Sequence, residues 1–347
     1  MTGLQTALVI LLLVTVAAGG LVFYRYAQEI AKARAAISEG ARIARTAAGP
    51  LEYGETGSGT PLLSIHGAGG GYDQGLANAA DLVGSGFRII APSRFGYLGT
   101  PVPANPTPDA QADAHAALLD ALQVDKAIVV GISAGARSAI AMALRHPQRV
   151  SALILIVPAS FEPTNPVAIE ESRGSRLAFW LVNAGADFAW WTLEAIAPSV
   201  LIRFIGVPPT VVSAAPEAEQ VRVHRIVRSI QPLSQRVRGI NLDSIPDTKL
   251  PQLERITAPT LIVSAKDDLF NTLPAARFAA SHIPNALVFA GSEMSGPDMM
   301  ATDALRSVGA PRDSGHLEPT EIADELEWQA QEHSHEATTR AFGNMSG

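Results

Sequence analysis

Val129-Val130-Gly131-Ile132-Ser133-Ala134-Gly135-Ala136-Arg137-Ser138-Ala139-Ile140 is the stretch on which the fold turns. It starts at the end of a β-branched run, Ala127-Ile128-Val129-Val130, and passes through Gly-x-Ser-x-Gly into an alanine-rich helical pattern ending near His146. This is strand, sharp turn and helix. A serine at such a turn takes a strained backbone, and the positions two before and two after it must be nearly free of side chain to clear their neighbours. Gly131 and Gly135 meet that demand. The turn lifts the Ser133 hydroxyl above the sheet and puts the Ala134 N–H at a helix start, where an oxyanion can be held. Gly-x-Ser-x-Gly alone could arise by chance among 29 glycines, but it occurs once here and in the required setting.

Outward from this turn, strands and helical patterns alternate. On the N-terminal side lie Leu62-Leu63-Ser64-Ile65, Phe87 to Pro92, and an amphipathic helix from Thr107 to Leu122. On the C-terminal side come Ala152 to Val157, then, after an interruption, Pro259 to Ser264 and Ala286 to Ala290. Alternation of this kind predicts an α/β fold with a mostly parallel central sheet and helices on both faces. The first of these strands ends in His66-Gly67-Ala68-Gly69-Gly70-Gly71. It could be a phosphate cradle, but it lacks Gly-Lys-Ser/Thr and a Gly-x-Gly-x-x-Gly with a suitably placed acid. The loop is therefore expected to offer an N–H near Ala68 to the same oxyanion, with His66 as the residue that holds the loop in shape.

Residues 160–255 break the strand rhythm, as a helical insertion does. Trp180, Trp190 and Trp191 fall here with Phe179, Phe188 and Phe204. Such a concentration reads as the core of a helical cap, as an apolar acyl pocket, or as a face that touches the bilayer from which a lipophilic substrate could enter, and these are not exclusive. We carry Trp180, Trp190 and Trp191 as candidate substrate-binding residues.

The N-terminal 24 residues have no charged side chain, and Leu8 to Val22 is almost wholly apolar. A helix needs roughly 20 such residues to span a bilayer. A cleaved signal peptide would normally carry a basic segment before the apolar run, and none precedes this one. Arg25, Lys32, Arg34, Arg42 and Arg45 follow it, which predicts a single-pass inner-membrane protein with its domain in the cytoplasm. The expected organisation is an anchor over 1–24, a helical stalk over 25–47, core over 48–159, a cap over 160–255, core again over 256–332 and a polar tail over 333–347.

The chain of 347 residues is 47% hydrophobic and 17% charged, which is on the apolar side for a soluble protein. A net charge of −7 gives no footprint for nucleic acid, and the absence of cysteine excludes disulfides, thiolate zinc sites and iron–sulfur clusters. No His-Glu-x-x-His occurs; His333 and His335 stand in a polar, solvated end. Neither metal nor cofactor is expected.

The glycine loop at 66–70, Ser93 to Pro101, the turn at 131–135, Arg145 to Ser160 and Pro259 to Asp268 occur in the order found in the α/β-hydrolase fold family, which the chain resembles over roughly residues 50 to 290. Within it, the chain looks like the membrane-associated bacterial serine hydrolases with a helical cap. The resemblance implies a Ser–acid–His triad in that chain order, with Ser133 as nucleophile and N–H groups of Ala134 and of a residue near Ala68 holding the oxyanion. The family's acid usually stands at the second aspartate of a pair such as Asp267-Asp268, so Asp268 is chosen and Asp267 is the near alternative. The histidine departs from the pattern. After the acid come His282, His316, His333 and His335. His282 lies in a helical pattern before the last strand, on the wrong side of the sheet, whereas His316 follows Ser314-Gly315 and precedes a capped helical pattern over 320–331. His316 is taken as general base, reached across a long polar segment. The expected activity is hydrolysis of a small lipophilic ester or activated acyl compound. Lactone or carbon–carbon bond hydrolysis, acyl transfer and cofactor-free perhydrolysis stay open, as does an inactive, membrane-tethered binding module. An aspartate nucleophile, as in haloalkane dehalogenases, is excluded by Ser133.

Overall fold

Runs such as Ile128-Val129-Val130 and Leu153-Ile154-Leu155-Ile156 have no polar alternation, and such strands are stable only where both faces are covered. In the computed structural model, which describes residues 3–80, 86–163, 186–284 and 286–291, they form the middle of an eight-stranded sheet. The strands are β1 (Arg42–Thr46), β2 (Gly49–Gly57), β3 (Thr60–Ile65), β4 (Phe87–Pro92), β5 (Ala127–Ile132), β6 (Val150–Ile156), β7 (Thr260–Ala265) and β8 (Leu287–Gly291). Their order is β1-β2-β4-β3-β5-β6-β7-β8; β1–β2 and β2–β4 pair antiparallel, and the pairs from β4 to β8 are parallel.

Side-chain alternation divides each strand between two cores. Leu63, Ile65, Val129, Leu153, Leu155 and Ile262 point to one face, and Leu62, Ile128, Val130, Ile154, Ile156 and Val263 to the other. Helices in chain order begin with α1 (Gly3–Gly40), α2 (Tyr72–Asn78), α3 (Pro108–Ala121) and α4 (Ala136–Arg145). The first face is covered by apolar residues of α3 and α4, among them Leu118, Leu119, Ile140 and Met142. Thr107 caps α3 by accepting from the Ala110 N–H at 3.2 Å, with Pro108 at the first helical position.

The insertion is helical in its described part: α5 (Asp187–Ile196), α6 (Pro198–Phe204), α7 (Pro209–Ala214), α8 (Glu217–Ser229) and α9 (Val237–Asp243). They close on a core of their own that includes Trp190, Leu201, Val207, Val223, Val227 and Leu233, and Tyr97 from the sheet side enters the same cluster. After β7, α10 (Leu273–His282) returns the chain to β8.

One sequence expectation is corrected here. The helical stalk expected over 25–47 ends at Gly40. The apolar segment and the stalk form one unbroken helix, α1, which ends at Gly40 against the Tyr72 ring, and Arg42–Thr46 is an edge strand. The alternation along β1 leaves only Ala44 buried, so this five-residue edge strand has too little apolar pattern to stand out, although Ile43 and Thr46 favour a strand. Along α1, Ile30 and Ile37 are buried, and the Tyr72 hydroxyl donates to the Ile37 carbonyl. The stretch from Gly3 has a mean hydropathy of 2.6 over its best window and is long and apolar enough to cross a membrane.

Candidate active site

Ser133 stands between β5 and α4 at the carboxyl end of the parallel strands, where open α/β sheets gather ligands. Its φ is +49°, a left-handed conformation unusual for a residue with a side chain. Strain of this kind costs of order 1–3 kcal/mol and persists where the surroundings over-determine it. The two flanking glycines show how. A Cβ at Gly131 would lie 2.5 Å from Ala139 Cβ and one at Gly135 would lie 2.5 Å from the His66 carbonyl oxygen, so α4 packs on the strands only because both are glycine. Ser133 is half-buried, and among the described residues nothing hydrogen-bonds its Oγ.

The glycine loop after β3 faces this serine: a Cβ built on Gly67 would come within 3.3 Å of Ser133 Cβ. The loop's N–H groups are mostly engaged. Gly67 N–H donates to Gln74 Oε1 at 3.1 Å, Gly69 N–H to the Tyr97 hydroxyl at 3.3 Å, and Gly70 N–H to the Gly67 carbonyl at 3.4 Å. Among residues 67–70, the Ala68 N–H alone has no acceptor within the described residues. Ala134 is the second residue of the helical turn Ser133–Gly135 after the strand, where N–H groups have no intrahelical acceptor.

The loop is locked from behind by residues the sequence did not single out. Arg94 Nε donates to the His66 carbonyl at 2.9 Å, and its Nη2 to the Gly67 carbonyl at 3.1 Å. The same guanidinium pairs with Asp243 at the end of α9, at 2.7 and 2.6 Å, and the Tyr97 hydroxyl donates to Asp243 Oδ2. Arg236, fully buried, donates to the Gly70 carbonyl at 2.6 Å and grips Asp73 with both ends of its fork. Arg137 donates to the carbonyls of Ala159, Asp243 and Ile245. Cap and core are joined through these guanidiniums at the loop itself. Arg94 and Tyr97 lie in a segment whose family likeness is legible, but Asp243 and Arg236 lie in the insertion, where a charged side chain reads as solvated surface.

His66 takes the structural part expected of it. It is wholly buried; Nδ1 donates to the Gly67 carbonyl at 2.7 Å, and Nε2 accepts the Arg94 N–H at 3.0 Å. Burial, with Arg94 beside it, holds its pKa well below the usual imidazole value, so the ring is neutral. His282 is exposed at the end of α10 with Nδ1 on the Phe278 carbonyl, before the last strand and away from the carboxyl edge that carries Ser133.

Asp267 and Asp268 follow β7 at the same carboxyl edge. Asp268 Oδ1 accepts the Phe270 N–H at 2.9 Å, and Oδ2 accepts the Thr272 N–H at 3.1 Å and the Thr272 hydroxyl. Burial pushes its carboxyl above the usual range, with the Thr272 hydroxyl pulling the other way. A carboxylate offers about four lone-pair sites, so three donors fix this one and leave room for a single imidazole N–H. Asp267 Oδ1 is buried without a partner among the described residues. His316 and Trp180 lie outside the described residues.

The other two tryptophans take different places. Trp190 is 1% exposed, donates Nε1–H to the Val227 carbonyl at 3.3 Å and meets Phe204 edge-on, which makes it the keystone of the cap core. Trp191 turns the other way, toward α1, and donates to Glu29 Oε2 at 2.6 Å. Adjacent residues on a helix point about 100° apart, so one packs inward and the other meets a neighbouring helix. Both are accounted for by packing.

Sheet order, strained serine and facing glycine loop define an enzyme of the α/β-hydrolase class. A family model described as the alpha/beta hydrolase fold matches residues 60–201. A solved α/β-hydrolase fold protein from Nakamurella multipartita is similar to the chain at 29% identity and a TM-score of 0.61, over 78% of this chain and 97% of that one. The chain thus has the α/β-hydrolase fold and is similar to proteins of that family. Among curated relatives, an uncharacterized hydrolase, YcgS, of Bacillus subtilis is 28% identical over 69% of this chain and 86% of its own length. A 2-hydroxy-6-oxononadienedioate/2-hydroxy-6-oxononatrienedioate hydrolase of Dechloromonas aromatica is 26% identical over 68% and 80%.

Proposed function

We propose that this hydrolase is a membrane-anchored serine enzyme that cleaves a small lipophilic ester or related activated acyl compound. Ser133 Oγ attacks the carbonyl carbon while His316 takes its proton; the oxyanion is held by the Ala68 and Ala134 N–H groups; His316 returns the proton to the departing alcohol; and water then releases the acid from the acyl-enzyme. Asp268 orients the imidazole and stabilises its charged form. The observation that carries this is the strained Ser133, at φ +49°, packed against a glycine loop with one N–H left unengaged. Arg94 and Arg236 are both consumed by protein carbonyls and carboxylates, which favours a neutral acyl group over a substrate with carboxylates to be paired. Carbon–carbon bond hydrolysis is the second reading, supported by the name of the Dechloromonas relative. A fluorophosphonate probe tests the triad: His316→Ala is expected to lose labelling as completely as a Ser133 variant, with His282→Ala close to wild type. Absence of labelling in the wild-type chain would favour the inactive, membrane-tethered binding module.

The anchor is α1, crossing the inner membrane once, with the domain in the cytoplasm. Its support is the uncharged start, the basic residues after it and the exposure of its apolar side chains from Leu4 to Val22. The protein is expected to pellet with membranes and to resist carbonate extraction. A soluble form beginning near Gly19 would show a signal peptide instead, and digestion of the domain from outside intact cells would reverse the orientation.

A further inference from the structure

The helix α1 does not leave the apolar segment as a free stalk. Where that segment ends, the first helix of the cap is bound to it. Tyr26 meets Phe188 edge-on at 5.1 Å and Trp191 at 5.9 Å, and Phe23 lies 6.3 Å from Phe188. Two polar contacts fix the same junction. Trp191 Nε1–H donates to Glu29 at 2.6 Å, and Arg34 reaches the buried Asp187 at 3.2 Å, a carboxylate that also accepts from the Ser234 N–H and hydroxyl. The depth of α5 relative to the apolar segment is therefore set by the protein.

That depth can be read along α1. From Gly3 to Val22 the helix rises about 30 Å at 1.5 Å per residue, the thickness of a bilayer's hydrocarbon layer. Phe23, Tyr24 and Tyr26 then form the aromatic zone that membrane proteins place at the headgroups, with exposed Arg25 among them and exposed Lys32 beyond. The cap helix α5 docks at this level. On it Phe188, Trp191, Thr192, Ala195 and Ile196 follow the i, i+3, i+4, i+7, i+8 spacing and share one face. Phe188 is 43% exposed and Ile196 is 74% exposed, although the residues on the opposite side, Asp187 and Trp190, are buried in the cap. An apolar helix face held at the headgroup level beside a spanning helix has the features of an element lying in the membrane interface.

We infer that α5 is a second membrane contact, its Phe188–Ile196 face seated in the headgroup and acyl boundary of the phospholipid bilayer that α1 spans. The inference rests on the spanning reading of α1 and adds to it the posture of the domain. In this posture the cap, through α5, rests on the lipid surface.

The absence of cysteine makes the test clean, because one introduced thiol carries the label. Full-length Phe188→Cys, Ile196→Cys, Leu12→Cys and Val221→Cys are each labelled with an environment-sensitive fluorophore and reconstituted in phosphatidylcholine–phosphatidylglycerol vesicles. A share of the lipid carries a nitroxide near the headgroup or deep in the chain. Labels at 188 and 196 are expected to lose most of their emission to the shallow nitroxide, and the label at 12 to the deep one. The label on Val221, an exposed residue of α8, should keep its emission. Since Phe188 helps dock α5, the label at 196 decides if the one at 188 disturbs the junction. Labels at 188 and 196 that stay bright beside a quenched label at 12 would overturn the interfacial contact and leave the spanning helix standing. A bright label at 12 as well would remove both. Concentration-dependent shielding at 188 and 196 without lipid quenching would assign the face to a second copy of the chain and overturn the proposal.

Discussion

Replacement of Ser133 by alanine is expected to lower ester hydrolysis by about 10⁶-fold, the typical loss on removing a triad nucleophile, while leaving a residue of activity from the oxyanion donors and binding. The expectation follows from the isolation of the hydroxyl. Ser133 is half-buried at the carboxyl edge of β5, and Oγ supports no hydrogen bond among the described residues. Alanine tolerates the backbone at φ +49° as well as serine does, because the constraint comes from the packing of Gly131 and Gly135 rather than from the serine side chain. The variant should therefore melt with the wild type. Measurement of kcat/KM beside a thermal melt separates the outcomes: full activity in Ser133→Ala would remove the nucleophile assignment, and a collapsed melt would make the loss structural.

The second large effect is expected at Asp268. Asparagine in place of a triad aspartate keeps the shape but holds the histidine in the wrong tautomer, and this lowers turnover by about 10⁴-fold. Two readings of the aspartate pair compete. Asp268 carries the turn-forming hydrogen bonds to Phe270 and Thr272, whereas Asp267 keeps a buried oxygen with no described partner. Immobilisation favours Asp268, because an orienting carboxylate must itself be fixed, and three donors fix it with one lone pair to spare. Asp268→Asn is thus expected to lose activity in the folded protein, with Asp267→Asn close to wild type. The reverse ranking would move the role to Asp267 and leave Asp268 as the cap of its own turn.

Much of the core was legible because its physics is local. Phe87–Pro92 and the strand entering Gly131 are apolar runs bounded by turn residues, and they stand where their pattern places them. Pro108–Ala121 begins at a Thr-Pro pair that announces a helix start. The structural part of His66 was legible from its place in a glycine loop. What escaped depends on partners distant in sequence. Arg42–Thr46 is stabilised as a strand by β2 beside it, and its short run of mixed residues carries no period that sets it apart from the helix before it. Trp190 and Trp191 are neighbours in sequence, yet one fills the cap core and the other meets α1, a division set by which surface each meets. The buried clamp of Arg94, Tyr97, Asp243 and Arg236 was invisible for the same reason. A guanidinium is buried only where carboxylates and carbonyls from other elements converge on it, and α9 lies more than a hundred residues beyond the loop it locks.

The most direct test is where a fluorophosphonate attaches. The wild-type chain, reconstituted in lipid, is treated with the probe, digested and analysed by mass spectrometry. The account predicts one covalent adduct on the peptide containing Gly131 to Arg137, at Ser133, formed stoichiometrically and lost in Ser133→Ala. An adduct on another serine, or a chain that hydrolyses esters without being labelled, would contradict it.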